Sequence, residues 1–299
     1  MDLSNAPESG NVEDRRGMKT AGMAVGGGLG LLILIVGLVF GVDTSKLVRP
    51  GGGGGGGGDG QPPADNYKAF AGKVVGSLEG VWEKQFADPK NRYPMRKYEH
   101  PKLILFSEGV NTGGCGFAPS AVGPFYCPAD KTMYLDPTFF FELEQKLGGS
   151  KAEISQAYVI AHENGHHVQN LLGFSGRVDR MRKTPKENEY SIRLELQADY
   201  LAGVWAHHAD KQYRILENPR ELQEAIKTAK AIGDDRIQSK MQGRVHPESF
   251  NHGTAEQRVA AFTAGANTGD ARMSTLEQYF EMPFVRTGEI DPRVFQPQP

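Results

Sequence analysis

The sequence HENGH at residues 162–166 places two histidines four positions apart, with a glutamate directly after the first. On an α-helix, residues with this spacing lie one turn apart on one face, so the imidazoles of His162 and His166 can bind one cation together. Glu163 lies about 100° around the helix from His162, where its carboxylate can take a proton from a metal-activated water. The preceding apolar residues indicate a buried helix, in which histidine and glutamate need partners. We therefore predict a metal site with Glu163 as general base, rather than a solvated helix face.

A hydrolytic zinc site needs a third protein ligand and one open position. The metzincin spacing would require a glycine at 169 and a histidine at 172, but Gln169 and Leu172 stand there, which excludes that class. The better candidate is Glu195, which lies in an apolar helical stretch and shares a helix face with Asp199. We predict Glu195 as the ligand and Asp199 as the carboxylate that accepts a hydrogen bond from a ligand histidine. The reserve candidates are His167, His207 and His208.

Two long helices are predicted to position these residues. Apolar periodicity indicates one helix from about Lys151 to Leu172, ended by Gly173, and another over 185–209. A first helix starts near Asp65, and the further predicted elements are extended segments at 102–106, 122–127 and 131–136 and helices at 219–232 and 254–264. A few strands followed by many helices predict an α+β fold with a small sheet and a predominantly helical second part.

The composition argues against nucleic acid as a partner. The 299 residues carry a formal net charge of −2, and their basic residues form no stripe of the kind that nucleic acid requires. Hydrophobic residues, not counting glycine, make up 38% of the chain, which is sufficient for a globular core.

Residues 21–42 form an uninterrupted stretch without a charged side chain. In a helix this stretch would span roughly 33 Å, about the hydrocarbon thickness of a bilayer. A cleaved signal peptide is the alternative, but the apolar run is longer than a signal h-region and no A-x-A-like site follows it. Basic residues just before the run and a short N-terminal tail predict that the N-terminus is cytoplasmic.

The chain therefore divides into four predicted parts. Residues 1–20 are a polar, disordered cytoplasmic tail, and residues 21–42 are a single transmembrane anchor. Residues 43–64, with eight consecutive glycines, form a flexible Gly/Pro-rich linker. Residues 65–299 are the domain that carries the candidate site, and we expect it on the extracytoplasmic side of the membrane.

Cys115 and Cys127 are the two cysteines of the chain. They lack the C-x-x-C spacing of redox and metal sites. They could close a disulfide where thiols are oxidised, or remain two unlinked buried thiols. Because the predicted topology places them outside the cytoplasm, we predict that they are linked.

Segments around these residues resemble the bacterial neutral zinc metallopeptidases of the YpfJ-like family. The similar segments are AHENGHHVQN at 161–170, LELQADYLAGVWAHH at 194–208, IGDDRIQSKMQGRV at 232–245, SFNHGTAEQR at 249–258 and the stretch 123–136. The resemblance covers roughly residues 97–269 together with the N-terminal anchor, and its motifs are specific in combination.

The resemblance implies a gluzincin-type zincin domain, with His162, His166 and Glu195 as zinc ligands and Glu163 as base. The segment from Asn251 to Arg258 is similar to the His-Pro…Arg segment of membrane-linked gluzincins, in which the histidine can stabilise the oxyanion. His252 is the corresponding candidate, and a helix-capping or core histidine is an equal alternative.

These features together predict a membrane-anchored, zinc-dependent endopeptidase that hydrolyses peptide bonds of a peptide or protein substrate. The substrate would lie in extended form along an edge strand within residues 103–127. A non-proteolytic periplasmic scaffold that keeps zinc for stability is the alternative, and a metal-dependent hydrolase of a non-peptide bond is a third hypothesis. A free Glu163 beside an open coordination position favours an enzyme.

Overall fold

A computed structural model describes residues 1–18, 64–218 and 220–284. The predicted anchor at 21–42 and the linker up to residue 63 lie outside these ranges. Among the described residues, no helix has both the length and the apolar character needed to cross a bilayer. The described part has the predicted α+β class, with small sheets and mostly helices.

Four strands form the main sheet, in the order β1-β2-β6-β5. Strand β2 pairs in parallel with β1 and with β6, and β5 runs antiparallel to β6 at the other edge. A separate antiparallel hairpin is formed by β3 and β4. The strands are β1 Val12–Asp14, β2 Lys102–Leu105, β3 Gly109–Asn111, β4 Phe117–Pro119, β5 Phe125–Cys127 and β6 Thr132–Leu135.

The helices follow the predicted order, with bounds a few residues different. They are α1 Ala64–Ala87, α2 Thr138–Glu142, α3 Glu153–Leu172, α4 Phe174–Asp179, α5 Glu187–Tyr213, α6 Glu221–Ala231, α7 Asp234–Gln242, α8 Ala255–Thr268 and α9 Met273–Glu281. The sequence did not indicate the short helices α2 and α4, the largely polar α7, or α9. Helix α3 ends at Gly173 as predicted, because this residue adopts φ +87° and its N–H bonds back to the carbonyl of Asn170.

The N-terminal segment corrects one prediction. Residues 1–18 were expected to be a disordered tail, but strand β1 lies at the edge of the main sheet beside β2. Leu3, Ala6 and Val12 are buried in the same core as the helices. Three apolar residues in a polar segment show no helical or strand periodicity, so this docking could not be predicted from local pattern.

The predicted disulfide is confirmed. Cys115 and Cys127 are bonded to each other, which ties the loop between β3 and β4 to the edge strand β5. The covalent link fixes the β3–β4 loop against this edge of the sheet.

Helices α5 and α8 approach each other at glycines. A Cβ at Gly203 would lie 2.1 Å from the carbonyl oxygen of Phe262, and one at Gly265 would lie 2.1 Å from that of Tyr200. Both distances are below any tolerated contact, so only glycine allows this packing. The close approach aligns two helices that carry site residues.

Replacing Gly203 therefore tests the packing. We expect Gly203→Ala to lower the free energy of unfolding by about 3 kcal/mol, because the methyl group forces α5 and α8 apart. Gly176→Ala is the matched control: its Cβ would meet only Arg180, at 3.9 Å, so the change is neutral or stabilises by about 0.5–1 kcal/mol. Urea denaturation measures both. Equal stability of the two variants would contradict the packing account.

Candidate metal and catalytic site

Helix α3 presents the two histidines and the glutamate of the HENGH motif toward a cleft. His162 and Glu163 are buried, and His166 is half-buried. Gly165, between the histidines, faces α5: a Cβ there would lie 3.0 Å from the carbonyl oxygen of Ala198. The absence of a side chain at this position lets α5 lie close to the motif.

Glu195 of α5 faces both histidines across this contact. Its carboxylate oxygens lie 3.2 Å from Nε2 of His162 and 3.5 Å from Nε2 of His166. One ligand atom from each of the three residues lies within 4.8 Å of the others. Two imidazole nitrogens and a carboxylate oxygen are a donor set that zinc takes in hydrolytic sites.

The second ring nitrogen of each histidine is engaged elsewhere. Nδ1 of His162 lies 2.9 Å from Oδ1 of Asp199, and Nδ1 of His166 lies 2.8 Å from Oε1 of Gln169. Both acceptors require Nδ1–H, so Nε2 of each ring is left unprotonated in the neutral imidazole. That is the tautomer in which Nε2 can bind a metal.

Asp199 is completely buried and accepts four hydrogen bonds. Besides Nδ1–H of His162, its carboxylate accepts from the hydroxyl of Tyr158 at 2.6 Å and from Nε and Nη2 of Arg258 at 2.8 and 3.0 Å. These donors come from α3 and α8. Asp199 thus has the position predicted for it, as the carboxylate behind a candidate ligand.

The charges of this buried cluster favour a cation. Although burial opposes a charge on His162, the carboxylate of Asp199 raises the pKa of this imidazole to about 10. Burial also opposes ionisation of Glu195, but His166 and His162 hold its pKa below the usual range. The buried carboxylates of Asp199 and Glu195 therefore stabilise a positive charge at this position. A divalent cation supplies this charge while His162 stays neutral, so the residues fit a metal ion.

Glu163 lines the same cleft but is not part of the donor set. Its carboxylate has no hydrogen-bond partner among the described residues. Burial raises its pKa, while His162 and His166 nearby oppose that shift. A partly desolvated, unpaired carboxylate beside a metal site is suited to proton transfer.

His252 also lines the cleft, and it is held by Asp234. Nδ1 of His252 lies 3.0 Å from Oδ1 of Asp234. The other oxygen of Asp234 accepts the backbone N–H groups of Asn251, His252 and Gly253 at 2.7, 2.7 and 3.1 Å. One carboxylate thus fixes both the loop and the ring. Burial opposes a charge on His252, but Asp234 raises its pKa.

Sequence reasoning did not identify Asp234 or Gln169 as parts of the site. Gln169 could have been found from its position three residues after His166, on the same helix face. Asp234 lies 18 residues before His252 in sequence and reaches it only through the fold. No local spacing predicts that contact.

The three reserve histidines serve other contacts. Burial lowers the pKa of His167 to about 4. This neutral ring donates from Nε2 to the carbonyl of Glu99 at 2.6 Å and accepts from the hydroxyl of Tyr126 at 3.0 Å. His207 and His208 lie about two helical turns beyond Asp199, and they hydrogen-bond to the carbonyl oxygens of Ala266 and Gly269. They are not among the residues that the fold brings to the candidate metal position.

The cleft is a cavity of about 280 Å³ whose floor is formed by the three candidate ligands. Phe125 and Tyr126 of β5 lie on one wall, and β5 is an edge strand of the main sheet. The cavity thus joins the candidate metal position to a strand edge that pairs with no further strand among the described residues. An extended chain can pair with such an edge.

Asp199→Asn tests the hydrogen-bond network behind His162. The amide cannot accept from all four donors, so His162 loses its fixed tautomer, and zinc affinity should fall by about 10–100-fold. A competition titration against a chromophoric chelator measures this. Asp88→Asn, at a helix cap where asparagine serves equally well, should bind zinc as the parent does. An Asp199→Asn protein with unchanged affinity would contradict the assignment.

Comparison with known proteins identifies the family to which the chain belongs. The model of a family described as "Putative neutral zinc metallopeptidase" matches residues 1–275. The chain is 41% identical over 279 residues to the uncharacterized protein YpfJ of Escherichia coli, covering 88% of this chain and 94% of that relative. It is 41% identical over 240 residues to the uncharacterized proteins Rv2575 of Mycobacterium tuberculosis and Mb2605 of Mycobacterium bovis, with 77% of each chain covered. No solved structure gave a match. Because the family match spans most of the chain and includes every residue of the cleft floor, the protein belongs to this family of neutral zinc metallopeptidases.

Proposed function

We propose that the protein is a zinc-dependent endopeptidase. The observation that carries the proposal is the convergence of His162, His166 and Glu195 in one cleft, with the unpaired carboxylate of Glu163 beside them. A purely structural zinc site has no use for an additional free carboxylate or for an open cleft. These features favour catalysis over the scaffold alternative.

His162, His166 and Glu195 would hold the zinc ion. When bound, Zn²⁺ supplies Lewis acidity, which lowers the pKa of water and polarises the scissile carbonyl. Asp199 and Gln169 keep both imidazoles in the ligating tautomer. The protein thus fixes the ligand set before the metal arrives.

Glu163 moves the protons of the reaction. Its carboxylate takes a proton from the attacking water and returns it to the nitrogen of the leaving amine. The raised pKa of Glu163 is closer to neutral pH than that of an ordinary glutamate, which favours both proton transfers.

His252 is proposed as the donor to the carbonyl oxygen of the substrate. With Nδ1–H bonded to Asp234, the ring turns Nε2 toward the cleft, and a protonated Nε2 can donate to the negative charge that develops on that oxygen. Asp234 favours this protonated form.

The substrate would be an extended peptide. Its backbone would pair with the free edge of β5, and its side chains would meet the walls of the cavity, which include Phe125 and Phe139. The Cys115–Cys127 disulfide holds β5 in place and supports an extracytoplasmic location, since disulfides persist in oxidising compartments. We propose that the 21–42 segment attaches this domain to a bacterial inner membrane.

Glu163→Gln tests the proposed activity. Glutamine removes the base but no candidate ligand, so zinc content should be unchanged while kcat falls by about 10²–10⁴-fold. Activity is measured against a peptide library, with cleavage products identified by mass spectrometry. Glu153→Gln, at an exposed position in the first turn of the same helix, should retain parental activity. Equal cleavage by the Glu163→Gln and parental proteins would refute the peptidase proposal.

His252→Phe tests the role of the histidine. Removing the donor should lower kcat and kcat/KM together by roughly two to three orders of magnitude, with little change in zinc content or melting temperature. His246→Phe, a change at a half-exposed loop histidine, is the control and should be as active as the parent. Loss of zinc or of folding in His252→Phe would assign this histidine to structure, and normal turnover would remove it from the reaction.

A further inference from the structure

The N-terminal segment is part of the catalytic domain by backbone pairing. Strand β1 runs parallel to β2, with Val12 opposite Leu103 and Asp14 opposite Leu105. The N–H of Leu103 donates to the carbonyl of Asn11 at 2.9 Å, and the N–H of Arg15 donates to that of Leu105 at 2.8 Å. Without β1, strand β2 would present an unpaired edge.

Helix α1 holds the residues that precede β1. The N–H of Ser9 donates to the carbonyl of Gly72 at 2.9 Å, and a Cβ at Gly76 would lie 2.1 Å from the carbonyl oxygen of Pro7. The carboxylate of Glu79 accepts from the Ser9 hydroxyl at 2.8 Å and from the Asn11 amide at 2.6 Å. These contacts bind one segment, residues 1–18 of this chain, to helix α1.

This docking restricts how the chain can meet a membrane. Residues directly opposite each other on paired strands lie within about 5 Å, whereas the hydrocarbon core of a bilayer is about 30 Å thick. Residues 1–18 and the domain from residue 64 onward therefore cannot lie on opposite sides of a membrane while β1 remains in the sheet.

Between residues 18 and 64, the sequence contains at most one segment that is apolar enough to cross a bilayer. Only residues 21–42 are apolar over the length of a membrane helix. The stretch 43–63 contains Asp43, Lys46, Arg49, eight consecutive glycines and Asp59, and it does not qualify as a second span. A single crossing would separate β1 from β2.

We propose that residues 1–18 lie on the same side of the membrane as the catalytic domain, because β1 pairs with β2. This replaces the cytoplasmic location of the tail that the charge bias predicts. The proposal depends on the strand pairing and not on the peptidase activity, and it holds whichever compartment contains the domain.

Labelling of one introduced cysteine at a time in the full-length protein tests the proposal. Ser4→Cys and Gly10→Cys report on the N-terminal segment, and Lys227→Cys on α6 reports on the domain, because all three positions are exposed. Each protein is treated with a membrane-impermeant maleimide in spheroplasts and in inverted membrane vesicles. Reaction is normalised to the same sample in detergent, and the parental chain provides the background from the two native cysteines.

The expected result is that all three positions react in the same preparation and are protected in the other. Reaction of all three in spheroplasts also supports the extracytoplasmic location, whereas reaction of all three only in inverted vesicles keeps the proposal and refutes that location. Reaction of the two tail positions and of position 227 in opposite preparations would overturn the proposal. Because labelling does not require catalysis, failure of the peptidase proposal would leave this result unaffected.

Discussion

The rest of the site depends on the hydrogen bonds that the carboxylate of Asp199 accepts. This carboxylate is completely buried, and it joins three helices by accepting from Tyr158 and His162 of α3 and from Arg258 of α8. A buried carboxylate is strongly destabilising unless its lone pairs are occupied. The same bonds that satisfy Asp199 also fix the ring of His162, so stability of the core and orientation of a candidate ligand have one cause.

The contact between Asp199 and Arg258 depends in turn on how closely the helices pack. Arg258 reaches Asp199 because α8 lies close to α5, and that approach requires glycine at 203 and 265. Gly165 similarly brings α5 close to the histidine motif. The candidate site residues are thus placed by helices that pack backbone to backbone. In the proposed binding mode, an extended substrate would lie along the edge strand β5, which the Cys115–Cys127 bond holds in place.

The sequence predicted what depends on local spacing. The pair His162 and His166, the order of the main elements and the α+β class follow from periodicity within single segments. Glu195 was predicted from an apolar helical context, and the fold brings it to the two histidines. The Asp234–His252 contact and strand β1 were missed, because each joins segments that are distant in sequence and have no regular pattern. Sheet order and strand register depend on such contacts, so they could not be predicted from a single sequence.

The central claim is that His162, His166 and Glu195 together form a zinc site. The most direct test is a crystal structure of the purified protein, with anomalous diffraction data collected on both sides of the zinc absorption edge. The account predicts one zinc peak per chain, about 2.0–2.2 Å from Nε2 of each histidine and from a carboxylate oxygen of Glu195. A chain without zinc in this cleft, or with the Glu195 carboxylate turned away from a zinc ion held by the histidines, would contradict it.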